Sequence, residues 1–282
     1  MLVSCLTKRF ERIFKGDSYG VAFFLLQEYR MNVSIHFEGV EFTASGEEAV
    51  DLSLAFQEAG GPSAWYVEPM RVEPVRANGF LGSVAEGGDV NFRDVTFNPH
   101  GNGTHTECVG HISEAAHSVN RLSIPPLMPC LIVSIQPEFK NEDHVITAKA
   151  LELASKRHWS GQTAPPSLVL RTLPNSAEKR SKNWSNTNAP YLEAAAAQWL
   201  VDRGVEHVLL DLPSVDREQD GGALAAHHIF WQWPADLREH ATITEFIFVP
   251  DTLKDGLHLL NLQTAPFELD ATPSRPVIIP CS

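Results

Sequence analysis

Only four of the 282 residues are cysteine, and no two of them form a CxxC pair. That excludes a disulfide framework and a zinc finger or ribbon, and it suits a reducing compartment. Long hydrophobic runs are missing too, since no apolar stretch approaches the roughly 18 to 20 residues that span a bilayer. Positive charge is scarce. With 22 Lys and Arg against 35 Asp and Glu the formal net charge is −13, and such a surface repels phosphate backbones and anionic lipid. Neither nucleic acid nor membrane is therefore an expected partner. The two denser basic groups, Lys8 to Lys15 and Arg171 to Lys182, read as solvated tail and loop. The chain also lacks a phosphate-cradling glycine loop, a dinucleotide fingerprint, a GxSxG elbow and HExxH. Kinase, dehydrogenase, serine-hydrolase and helix-borne protease readings lose their support with them.

The first residues, MLVSCLTKRFERIFKG, place charge after a short apolar start, the reverse of a secretory signal. The expected location is the cytoplasm. Met31 opens a stretch that reads as the start of a fold, so residues 1–30 are expected to be an extension. Residues 31–282 are expected to be a single domain, long enough for a well-buried core.

What is present is strand first and helix later. NVSIHFEGVEFT (32–43) alternates as a hairpin does, and VNFRDVTFNPH alternates again into a glycine turn at 101–103. Residues 57–90, rich in Gly, Pro and Glu, read as loop with short strands. CLIVSI (130–135), SLVLRTL (167–173), VEHVLLDL (205–212) and TEFIFV (244–249) read as buried strands. Between them ITAKALELASK (146–156), Tyr191 to Arg203 and ALAAHHIFWQW (223–233) read as helices, the second closed by Gly204. PVIIP reads as the last strand. This alternation predicts an α/β fold.

Chemistry concentrates in PHGNGTHTECVGH, which holds His100, His105, Glu107 and His111 within twelve residues. If 104–108 is extended, His105 and Glu107 point to one side. Gly101 and Gly103 permit a tight turn that swings His100 beside them. Imidazoles and a carboxylate converging this way suit Zn²⁺, Mn²⁺ or Fe²⁺. His111 follows as a fourth ligand or as a base beside the metal. Cys108 reads as a packed residue. His227 and His228, adjacent on a predicted helix, and Glu245 on the next strand can complete the site, though adjacent helix residues diverge and only one of the pair reaches it. Asp51, Asp211 or Asp216 can orient these rings, and Trp65, Phe80 or Trp231 can rim a pocket for a small planar substrate.

GTHTECVGH resembles the G-T-H-x-D-x-P-x-H signature of the cyclase family of metal-dependent hydrolases, which includes kynurenine formamidase and isatin hydrolase. AVDLS before it, and LVLRT, VLLDLPSVD and AHHIFW with Glu245 after it, resemble further segments of that family in the family's order. The resemblance implies a swivelling β/β/α fold, homodimers or homotetramers, and one or two divalent metals, Zn or Mn, activating water against an amide, lactam or ester carbonyl. By position it implies metal ligands at His100, His105, Glu107, His227 and Glu245, and the catalytic histidine at His111. His227 matches better than His228 because Phe230 and Trp231 follow it at plus three and plus four. Four departures stand out: His100 comes five positions before His105 rather than four, Glu107 replaces aspartate, Val109 replaces proline, and PADLREHAT lengthens the stretch before Glu245. They support an alternative, a non-catalytic metal- or ligand-binding protein that keeps the fold.

Overall fold

The structure, a computed structural model, describes residues 32–161 and 164–281. The expected extension at 1–30, with its basic group Lys8 to Lys15, lies outside those residues. The first elements are a hairpin of β1 (Asn32–Phe37) and β2 (Val40–Ser45), then the short β3 (Val50–Asp51). An arm follows, formed by β4 (Arg71–Pro74), β5 (Arg76–Ala77), β6 (Phe80–Leu81) and β7 (Arg93–Thr96), in which β4 pairs with β7 and β5 with β6.

The remaining strands are β8 (His105–Glu107), β9 (Met128–Ile135), β10 (Glu138–Lys140), β11 (Asp143–Ile146), β12 (Ser167–Thr172), β13 (Tyr191–Leu192), β14 (His207–Leu210), β15 (Thr242–Glu245), β16 (Gly256–Thr264) and β17 (Ala271–Pro280). Seven of them close on themselves. The order β16-β9-β12-β14-β15-β8-β17 returns to its start through β16–β17 pairing, and β3 adds to β17. Closure leaves no open edge along these seven strands. Strands β9, β12, β14 and β15 run parallel, whereas β8 is antiparallel to both β15 and β17.

Of the parallel strands, β9, β12 and β14 are largely apolar on both faces, as burial on both sides requires, whereas β15 carries Thr242, Thr244 and Glu245. Ile132, Val169 and Leu209 pack with Leu260 and Ile278 on one face. Leu131, Leu168, Leu170 and Val208 pack on the other face, against helices α1 (Ala148–Lys156), α2 (Ala194–Asp202) and α3 (Ala225–Trp231). Two faces of strand and one helical layer give the expected β/β/α arrangement. Trp231 is fully buried in the helical layer and donates from its ring nitrogen to Ala241 O at 2.9 Å.

The helices are shorter than the pattern predicts, each for a local reason. Ile146 pairs with Leu192 in a three-stranded sheet, so α1 starts only after Thr147, whose hydroxyl accepts from Ala150 N. That pairing also makes Tyr191–Leu192 strand, which delays α2 to Ala194. Leu224 and Gln232 both adopt left-handed φ, 43° and 53°, and bound α3. At the far end of α2, Gly204 takes φ 74°, as a C-cap glycine does.

The basic group Arg171 to Lys182 is not a solvated loop throughout. Arg171 and Lys179 are both buried. Arg171 donates to Ser134, to the carbonyls of Pro250 and Leu253, and to Asp255 at 2.6 Å. Lys179 Nζ donates to Thr172 and to Asp211 Oδ2 at 2.8 Å. Burying a charge is tolerated only when it is paired in this way.

Candidate metal centre

β8 lies between β15 and β17, and its register sets Glu107 opposite Ile243 and Ala271, and His105 opposite Glu245 and Pro273. Side chains alternate along a strand. Thr106 therefore meets Thr244 on one face, hydroxyl to hydroxyl at 2.8 Å, while His105, Glu107 and Glu245 share the helical face. These three are buried.

The other histidines arrive from separate elements. His100 sits in the turn after β7, where Asn98 N donates to Asn102 Oδ1 and Asn102 Nδ2 donates to Glu68 O. Gly101 and Gly103 serve this turn by close packing rather than by positive φ: a Cβ would stand 2.5 Å from Val67 Cγ2 and 2.6 Å from Phe56 Cδ2 respectively. His111 ends a single 3-10 turn (Val109–His111). His227 comes from α3, and it, rather than His228, faces Glu107, with Nε2 3.1 Å from Oε1.

Around Glu107 the donors converge. Its Oε2 lies 3.1 Å from His100 Nδ1 and 3.9 Å from His111 Nδ1. His105 Nε2 lies 3.4 Å from Glu245 Oε2. Two sets, His100–Glu107–His111 and His105–Glu107–Glu245, each bring donor atoms within 4.8 Å of one another. His105 Nε2 and Glu107 Oε2 are nonetheless buried without a hydrogen bond. An unsatisfied buried donor or acceptor costs about 1–3 kcal/mol, and here such atoms meet at one point with oxygen and nitrogen neighbours. That donor set fits a divalent cation of the Zn, Mn or Fe type.

Electrostatics agree. Burial alone would push the Glu107 carboxyl up, but His111, His100 and His227 around it hold it well below the usual carboxylate range. Glu245 is displaced upward by burial and by the charge of Glu107. Burial opposes the charged form of His100 and His227, yet Asp270 and Glu107 raise the first to about 10, and Asp216 and Glu107 raise the second to about 10. The cluster thus draws positive charge into a buried site. A metal ion supplies such charge, and its binding to imidazole and carboxylate releases protons.

Of the three aspartates expected to orient rings, only Asp216 does so, with Oδ2 2.6 Å from His227 Nδ1. Its carboxylate also accepts from Ala226 N and His227 N and so opens α3. Asp51 is occupied at the surface by Ser53 and Arg275, and Asp211 by Thr172 and Lys179. Trp231 is too deep to rim a pocket, and Phe80 stands on the arm. Trp65 does border a crevice with Trp184 and Asp216. Cys108 is buried, its thiol pushed up to about 11 by burial, and it belongs to neither donor set.

The sequence reading missed Asp270. Its Oδ2 lies 3.0 Å from His100 Nε2 and 3.6 Å from His111 Nδ1. No local signal marks it, because a lone acid before a strand is ordinary turn chemistry.

Known proteins share this fold and family. Kynurenine formamidase of Bordetella petrii is 24% identical over 190 residues, covering 67% of this chain and 80% of that protein. Isatin hydrolase A of Labrenzia aggregata, solved with benzyl benzoate bound, superposes with a TM-score of 0.61 at 15% identity, covering 82% of this chain and 93% of that one. A Bacillus stearothermophilus protein described as a predicted metal-dependent hydrolase superposes with a TM-score of 0.58 at 17% identity, covering 82% of this chain and 97% of that one. Residues 50–217 match the Cyclase family model, and the chain belongs to that family.

Proposed function

We propose that this protein is a metal-dependent hydrolase that cleaves an amide, lactam or ester carbonyl bond in a small aromatic molecule. The observation that carries the reading is the pair of buried atoms without a hydrogen bond, His105 Nε2 and Glu107 Oε2, where His100, His105, Glu107, His111, His227 and Glu245 converge. The relatives support the reaction class, since they are named kynurenine formamidase, isatin hydrolase and predicted metal-dependent hydrolase.

The ligands in this reading are His100, His105, Glu107, His227 and Glu245, for one or two ions of Zn or Mn. Glu107 serves both halves, with Oε1 toward His227 and Oε2 toward His100. A divalent cation so held polarises a carbonyl and lowers the pKa of water toward neutrality. The remaining work falls to the protein. His111 has a side chain 29% exposed against 1% for Glu107, so it stands at the open edge of the cluster. There it takes the proton of the attacking water and returns it to the departing nitrogen or oxygen. Asp216 holds His227 in one tautomer and orientation.

The test is turnover of aromatic formamides, aromatic lactams and aryl esters by protein reconstituted with Zn or Mn. At least one amide or lactam should be hydrolysed, and a chelator should stop the reaction. Metal binding with no turnover across the panel would favour the non-catalytic binding reading.

The assembly in this reading is a homodimer or homotetramer. The exposed rings of Phe80 and Phe92, 5.9 Å apart between centroids on the arm, support it, because exposed apolar surface can mark a protein–protein contact. Light scattering coupled to size exclusion tests it, and a monomer at micromolar concentration would contradict it. Among the described residues Cys108, Cys130 and Cys281 are unpaired, which supports a cytoplasmic location, and no helix is long and apolar enough to cross a membrane.

A further inference from the structure

We propose that Asp270 is a positioning residue of the centre, whose carboxylate fixes the rings of His100 and His111 together. The inference rests on reading the cluster as a metal centre. Asp270 lies outside the residues matched to the family model, 50–217.

The two nitrogens of His100 are committed in different directions. Nε2 lies 3.0 Å from Asp270 Oδ2, and Nδ1 lies 3.1 Å from Glu107 Oε2 without hydrogen-bond geometry. A carboxylate on one nitrogen fixes the tautomer and leaves the lone pair on the other, the nitrogen turned into the cluster. The same Asp270 oxygen is 3.6 Å from His111 Nδ1. The His100 and His111 rings lie 4.3 Å apart between centroids and 33° from parallel, so one carboxylate spans both. On the opposite side of Glu107, Asp216 treats His227 in the same way at 2.6 Å.

Asp270 is itself held firmly. Cys108 N donates to its carbonyl at 3.0 Å, and Val119 N donates to Leu269 O at 2.9 Å. The next residue, Ala271, pairs with Glu107 in the barrel. Gly110 allows this approach: a Cβ there would stand 2.5 Å from His117 O and 3.1 Å from Asp270 Cβ. The carboxylate is therefore delivered from a fixed strand end to the two histidines that border the surface.

The experiment is zinc affinity, with Zn²⁺ alone as probe, measured by competition with a chromogenic chelator. The proteins are wild type, Asp270→Ala, Asp270→Asn, His100→Ala and the Asp270→Ala/His100→Ala double variant, each checked for fold by circular dichroism. Loss of a partner that orients a ligand lowers metal affinity by about 10–100-fold. Asp270→Ala should show that loss, and Asp270→Asn, which keeps an acceptor and the side-chain volume, a smaller one. In the His100→Ala background the further loss should be small, because the effect travels through His100. Wild-type affinity in Asp270→Ala, or an equal loss with and without His100, would overturn the proposal. Failure of the wild type to bind zinc would instead overturn the metal-centre reading on which it rests.

Discussion

His227 Nε2 stands 3.1 Å from Glu107 Oε1 across 120 residues of sequence. The contact joins the helical layer to the barrel, because α3 carries one partner and β8 the other. Behind it Asp216 grips the second nitrogen of His227 and the first amides of α3. One aspartate thus positions both a ring and the helix that bears it.

Asp216 variants should separate these two tasks. Asp216→Ala removes the acceptor for two amides and for the ring, and should cost about 1–2 kcal/mol of stability together with a 10–100-fold loss of metal affinity. Asp216→Asn keeps an acceptor oxygen and should retain most of the stability while losing metal affinity. Thermal melts beside chelator competition check this. Equal affinity in all three proteins would show that the ring needs no partner.

His111→Ala should lower turnover by about 10²–10⁴-fold with the metal retained, as expected for loss of a general base. Kinetics and metal content measured on the same preparation decide the case. Undiminished turnover would remove His111 as the base, and loss of metal would make it a ligand.

Stability should fall on mild acidification through a residue remote from the centre. His207 is buried, with Nδ1 2.8 Å from Thr242 Oγ1. Burial first, then the charges of His240 and Arg238, depress it to about 4 from 6.5. The unfolded chain therefore binds the extra proton as pH drops below about 6.5, and stability is lost between about 6.5 and 4. The contribution at pH 5 is about 2 kcal/mol. Urea unfolding at pH 7 and pH 5 should show a smaller drop for His207→Asn than for wild type, and equal drops would refute the assignment.

Lys179→Met should destabilise by about 3 kcal/mol, since it strands Asp211 in a buried site. Burial already pushes the Asp211 carboxyl up, and Lys179 is the charge that offsets it. Chemical denaturation measures the change. A loss under 1 kcal/mol would mean that Thr172, which also bonds Asp211, suffices alone.

Much of the centre was legible because its chemistry is compact in sequence. Period-two alternation places His105 and Glu107 on one face, and the structure puts Glu245 beside them through strand pairing. The preference for His227 over His228 rests on the family resemblance, in which large apolar residues stand at plus three and plus four, and in the structure His227 is the one that faces Glu107. Asp270 was not legible, because its neighbours are set by β17 lying beside β8 and by the space above Gly110. Barrel closure was equally hidden, since it depends on β16 and β17 pairing with strands far earlier in the chain. Of the rim aromatics, Trp231 is in the core for a related reason: it fits a planar pocket by type, but its ring nitrogen is spent on Ala241.

The most direct test of the central claim is metal content per chain in the purified protein, by elemental mass spectrometry, beside His105→Ala. About one or two equivalents of zinc or manganese, lost in the variant, is the predicted result, because the convergent donors then hold a real cation. No metal in either protein, even after reconstitution, would contradict the account.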